Sequence, residues 1–89
     1  MEQPSGASWF VYILRCADGS LYTGVTTDVR RRCVQHNNGT ASRYTRSRLP
    51  TQLVYREDQA NRSLALKREA AIKSLSRSKK ESLIEQAAT

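Results

Sequence analysis

Apolar positions gather in three short blocks with β character and in stretches with helical spacing. Trp9–Cys16 (WFVYILRC) is a nearly unbroken run of aromatic and β-branched residues, which predicts a well-buried strand. Ala17-Asp18-Gly19 is a turn signal, and Ser20–Thr26 (SLYTGVT) reads as the returning strand of a hairpin. Asp28–Asn38 reads as a helix, with Thr27 or Asp28 as N-cap and Asn38-Gly39 as the stop. Thr40–Pro50, rich in Ser, Thr and Arg, reads as a loop, and Thr51–Arg56 as a third strand. Asn61 caps a second helix that ends near Leu75 or Ser76, and Ser78-Lys79-Lys80-Glu81 reads as a capping box that opens a short final helix. The predicted order is ββαβαα: an α+β fold with a three-stranded antiparallel sheet and flanking helices. Residues 1–8 read as a flexible polar lead and residues 9–86 as a single domain.

The hairpin register decides where two tyrosines go. A two-residue turn pairs positions whose numbers sum to about 37, which puts Tyr12 opposite Val25 and Tyr22 on the other face. A three-residue turn with Gly19 left-handed changes that sum to about 36. Tyr12 then opposes Gly24, Leu14 opposes Tyr22, and both phenols share one face. The second register is expected, because Gly24 then leaves room for something to approach the Tyr12 ring.

Composition narrows the class. The chain has 89 residues, 38% hydrophobic and 26% charged, which suits one small globular domain with a thin core. No apolar run approaches a membrane span, and the N-terminus lacks a secretory pattern. Two cysteines, Cys16 and Cys33, lack metal spacing and read as free thiols of a reducing, cytoplasmic setting. Fifteen Lys and Arg against eight Asp and Glu leave a formal charge of +7. Such a surplus points to a polyanion, nucleic acid before membrane, because the basic stretches carry few large apolar residues. A merely solubilising surface is the bland alternative.

On the first helix Val29 and Cys33 define an apolar stripe, with Arg32 and His36 flanking it one turn apart. Either could be an ordinary helix residue. On the second helix Ala65, Ile72 and Leu75, with Leu64 and Ala71, mark the buried side, and Glu69 sits at its edge one turn before Lys73. A surface Glu69–Lys73 pair and a carboxylate facing the tyrosine–arginine cluster are both open.

These residues together resemble the GIY-YIG nuclease domain, specifically its small bacterial single-domain branch. Phe10-Val11-Tyr12 and Tyr22-Thr23-Gly24 match its two signature segments. Arg32-Cys33-Val34-Gln35-His36 matches its Arg-x3-His segment, and Leu64–Lys73 (LALKREAAIK) its helix with a metal-binding Glu. The resemblance spans Trp9 to about Ile84 and rests on the order and spacing of motifs that are individually unspecific. It implies that Tyr12 is the general base or phenolate relay and that Tyr22 orients water and binds the scissile phosphate. Arg32 would stabilise the phosphorane, His36 would bond Tyr12 or a phosphate or share the base role, and Glu69 would hold one Mg²⁺ or Mn²⁺. Many members carry an Asn beyond that Glu; no Asn follows Asn61 here.

The acids alone also argue against a two-metal site. Only Glu81 and Glu85 stand one helical turn apart, and adjacent Glu57 and Asp58 would point to opposite faces of a strand. One carboxylate holds a hard cation only if water and substrate phosphate complete its shell. Arg43, Arg46 and Arg48, with Tyr44 and Lys73, are the expected DNA contacts: the cations for phosphates, Tyr44 for an unpaired base. No helix looks like a major-groove reader, so branched, flap or single-stranded DNA is the expected substrate. Three functions are carried forward: a metal-dependent endonuclease of repair or recombination, a non-catalytic nucleic-acid-binding module, and a docking subunit active only with a protein partner.

Overall fold

A computed structural model describes residues 8–88. The predicted lead therefore lies, apart from Ser8, outside the described residues. Strand β1 spans Trp9–Arg15 and β2 spans Leu21–Thr26. They flank Ala17-Asp18-Gly19, with Gly19 at φ +86° and Cys16 and Ser20 joined across the turn by a 2.8 Å hydrogen bond. Tyr12 pairs with Gly24 and Leu14 with Tyr22, the register of the three-residue turn.

Helix α1 spans Val29–Asn37, with the Asp28 carboxylate accepting from Arg31 N–H as its cap. Gly39, at φ +78°, ends it in the left-handed conformation that glycine adopts at little cost. A one-turn helix, α2, spans Arg43–Arg46 in place of the expected loop. Ser42 caps it through its hydroxyl, and four polar residues carry no apolar period from which it could be read.

Strand β3 spans Gln52–Gln59, three residues beyond the predicted end. It pairs antiparallel with β1, with a bulge at Ile13/Leu14, and the sheet order is β2-β1-β3. Helix α3 spans Arg62–Lys73 under its Asn61 cap, and α4 spans Arg77–Ala88. The final helix is longer than expected and its start differs. Ser76 Oγ, not Ser78, caps it by accepting from Lys79 N–H, since Ser78 already lies inside the helix, and Glu81 is held by Arg15 and Arg77.

The sheet has helices on both faces. Val11 and Ile13 point to one side and form the core with Ala65, Ile72 and Ile84 of α3 and α4. Tyr12 and Leu14, equally buried, point to the side of α1 and α2. Leu64 and Ala71 are exposed and not buried as expected: the fully buried residues of α3 are Ala65 and Ile72, seven positions apart. Both cysteines are free.

Candidate active site

The site is built on the α1 face of the hairpin. Gly24 lacks a side chain, and the Tyr12 ring lies over it: a Cβ at Gly24 would stand 2.6 Å from the Tyr12 hydroxyl oxygen. The room at Gly24 is thus filled by Tyr12 itself, not left for an approaching group. Tyr12 is 1% exposed, and its hydroxyl lies 2.8 Å from Nε2 of His36.

His36 is the most enclosed residue of α1. The buried stripe of that helix runs through Val29 and His36, with Cys33 and Arg32 half-buried beside it. The expected stripe of Val29 and Cys33, with His36 on its flank, is corrected accordingly. On its other side the imidazole Nδ1 lies 2.8 Å from Oγ1 of Thr45, which is also fully buried. Burial, with the Arg32 charge adding to it, pulls the His36 pKa down to about 4, so the ring is neutral near pH 7.

Tyr22 is half-buried and central. Its ring centroid lies 6.4 Å from that of Tyr12, 5.0 Å from that of His36 and 6.1 Å from that of Tyr44. Both phenols therefore lie on one side of the sheet. Burial pushes the Tyr12 pKa up to about 12. The nearby Arg32 guanidinium opposes that rise, and Tyr22 adds to it. Arg32 itself is met by the neutral acceptors Oε1 of Gln35 at 2.9 Å and the carbonyl of Ala41 at 3.5 Å, and no acid among the described residues pairs with it.

Glu69 belongs to α3, in the layer that packs on the opposite sheet face. Its Oε2 pairs with Lys73 Nζ at 3.1 Å. Among the described residues the tyrosine cluster makes no hydrogen bond to this carboxylate. Its link to the cluster runs around the free edge of β2. There Lys73 lines a depression of about 250 Å³ together with Tyr22, Thr23, Tyr44 and Lys80. Among the described residues no three Asp, Glu, His or Cys side chains gather to hold a metal. One carboxylate oxygen donor, free of any protein-built cage, suits Mg²⁺ or Mn²⁺ that takes its remaining ligands from water and phosphate.

The expected DNA contacts divide into two sets. Arg43 and Arg46 are exposed and unpaired among the described residues. Arg48 is tethered instead. Its Nε donates to Asp18 at 3.1 Å, its Nη1 donates to the Tyr44 carbonyl, and its guanidinium lies 3.9 Å from the Tyr44 ring centroid. Tyr44 also stacks with Tyr22, so its ring already has two partners. Thr45 escapes a reading of the sequence, since a threonine in a polar segment carries no signal of burial. Lys80 shows there only as one of several scattered lysines.

Comparison with known proteins gives one consistent picture. The GIY-YIG catalytic domain family matches residues 8–82. The UPF0213 protein DP2720 of Desulfotalea psychrophila is 56% identical over 78 residues, 86% of this chain and 71% of that protein. UPF0213 protein SSP2268 of Staphylococcus saprophyticus is 52% identical over 75 residues, 84% of this chain and 92% of that one. Among solved structures, the solution NMR structure of UPF0213 protein BH0048 from Bacillus halodurans is 46% identical, with a TM-score of 0.58 and 89% and 84% of the two chains covered. That of protein EF2693 from E. faecalis is 40% identical, with a TM-score of 0.62 and coverage of 99% and 92%.

Proposed function

The chain belongs to the GIY-YIG catalytic domain family, and we propose that it is a metal-dependent DNA endonuclease that hydrolyses phosphodiester bonds beside Tyr22. The observation that carries this reading is the Tyr12–His36 hydrogen bond inside a cluster of phenols next to Arg32, which pairs with no acid among the described residues. The substrate we infer is branched, flap or single-stranded DNA, and the setting is repair or recombination in the cytoplasm.

The chemistry asks for an activated water and for charge neutralisation at phosphorus. At rest the proton stays on Tyr12, since values of about 12 for Tyr12 and about 4 for His36 oppose its transfer. Bound phosphate has to change that balance. Tyr12 is sealed, so its hydroxyl has to become accessible to water when substrate binds. Tyr12 then takes a proton from water while passing its own to Nε2 of His36. Arg32 balances charge developing on the phosphorane. Glu69 would hold the divalent cation, which supplies charge neutralisation at the leaving oxygen. Lys73, Lys80, Arg43 and Arg46 contact flanking phosphates.

A second reading, a nucleic-acid-binding module without catalysis, is favoured by the sealing of Tyr12 and by Lys73 sitting on the Glu69 carboxylate. One experiment separates them. Branched, nicked and single-stranded DNA are incubated with Mg²⁺ or Mn²⁺ and wild type or Glu69→Ala. Cleavage that Glu69→Ala loses while still binding DNA supports the enzyme; binding with no cleavage by wild type supports the module.

A further inference from the structure

Thr45 is tied to the centre of the cluster through an atom that the proposed chemistry does not use. Its Oγ1 lies 2.8 Å from His36 Nδ1 and 3.4 Å from the Ser42 carbonyl, and both Thr45 and His36 are fully buried. A neutral imidazole carries one proton, so one ring nitrogen donates and the other accepts. Two arrangements have to be compared.

In the first, Nε2 carries the proton and donates to Tyr12, and the Thr45 hydroxyl donates to Nδ1. The phenolic hydrogen of Tyr12 then has no acceptor, because among the described residues none but His36 Nε2 lies within reach. A buried donor is left unpaired, which is costly. In the second, Nδ1 donates to Thr45 Oγ1, the Thr45 hydroxyl donates to the Ser42 carbonyl, and Tyr12 donates to Nε2. Every buried donor then has an acceptor. The charged and titratable groups around the ring agree with this choice. The Arg32 charge on α1 favours electron density on the Tyr12 oxygen, and Tyr22 on β2 meets the His36 ring edge-on.

We infer that Thr45 is a positioning residue that accepts from Nδ1–H of His36, in the tautomer whose Nε2 the buried Tyr12 hydroxyl keeps as its acceptor. Histidine in water favours the other tautomer, so the protein has to impose this one. The chain Ser42 carbonyl, Thr45 hydroxyl, His36 ring, Tyr12 hydroxyl then has a single direction of donation. Its outer end is the one-turn helix α2, whose cap is the same Ser42. The short helix thus has a purpose in holding a hydroxyl against the ring. Movement of the Tyr12 proton to Nε2 would make an imidazolium whose Nδ1–H is already bonded to Thr45.

The inference bears on the proton path from Tyr12 to His36 proposed above, but its test needs no DNA. Ring ¹⁵N spectra of His36 in the free protein at neutral pH report which nitrogen is protonated. Wild type and Thr45→Ser should both show a protonated-type Nδ1 and an unprotonated-type Nε2. Thr45→Val, similar in shape but without the hydroxyl, should keep Nε2 unprotonated, because Tyr12 still donates to it, but should shift the Nδ1 and Nδ1–H resonances, because that hydrogen has lost its acceptor. A wild-type ring protonated on Nε2 overturns the inference, and so does a folded Thr45→Val whose Nδ1 signals are unchanged. Should Thr45→Val not fold, the wild-type spectrum alone decides. In cleavage assays Thr45→Val should lose about tenfold or more in turnover with DNA affinity kept, and Thr45→Ser should recover most of it. Shifted Nδ1 signals with undiminished cleavage uphold the role of Thr45 and remove the Tyr12–His36 proton path instead.

Discussion

Gly24 and Tyr12 face each other across the hairpin so closely that a single added carbon at residue 24 would fall 2.7 Å from Cζ of the tyrosine ring. The glycine is therefore needed for space and not for backbone freedom. Gly24→Ala should push the ring off His36 and cost about 1–3 kcal/mol through overpacking. Thermal unfolding should fall by ~5 °C or more, and the Tyr12–His36 bond should be lost. A variant that melts like wild type would show that the ring has room to spare.

Stability should fall as pH drops from 6.5 toward about 4. His36 is buried neutral, and its pKa is lowered from 6.5 to about 4. Between those values the unfolded chain takes up a proton that the folded one refuses. The contribution, of about 3 kcal/mol, is fully present above 6.5 and gone below about 4. Denaturant unfolding of wild type and His36→Gln across this range checks it: the variant should lack that part of the slope. By the same reasoning, the acid limb of kcat/KM, which reports the free protein, should lie well below 6.5.

The bidentate Arg15–Glu81 pair, with contacts of 2.8 and 2.9 Å, joins β1 to α4, and Arg77 shares the carboxylate. These two arginines hold the Glu81 pKa down at about 2 against an ordinary value of 4.5. Its stabilisation is therefore complete above 4.5 and disappears as pH falls toward about 2. Glu81→Gln should be less stable than wild type at neutral pH, and the gap should close in acid. A gap that stays constant down to pH 2 would mean that the bridge contributes through packing alone.

DNA affinity should discriminate among the arginines of residues 43–48. Arg43→Ala and Arg46→Ala should each weaken binding and lower the salt slope by about 0.7–0.9. Arg48→Ala should leave that slope nearly unchanged, because its guanidinium already serves Asp18 and Tyr44. Binding titrations at several salt concentrations measure this. Equal losses at all three positions would assign Arg48 to the DNA surface as well.

Much of this arrangement is legible in the amino-acid sequence. The Gly19 turn sets the register that puts Tyr12 and Tyr22 on one face, and Asp28 and Asn61 mark their helix starts, because these signals are local. What stays hidden depends on tertiary partners. Four polar residues become helix α2 because Ser42 caps them and Thr45 is buried against His36. Glu81 fits a capping box but is claimed by Arg15 from across the fold. Arg48 looks like a phosphate contact in a basic loop until Asp18, 30 residues away, takes it. The pattern of residues also leaves Glu69 open between a surface pair and a facing carboxylate; its partner is Lys73, at the edge of the β2 strand.

The most direct test is single-turnover cleavage of branched and single-stranded DNA by Tyr12→Phe, measured with saturating protein and Mg²⁺ or Mn²⁺ alongside DNA affinity and thermal unfolding. Removing one hydroxyl keeps the ring over Gly24 and deletes only the group bonded to His36. The rate should drop by at least about a hundredfold, as expected for loss of acid–base assistance, while affinity stays close to wild type and melting falls only as far as loss of one buried hydrogen bond to His36 accounts for. Cleavage by Tyr12→Phe at the wild-type rate would contradict the account.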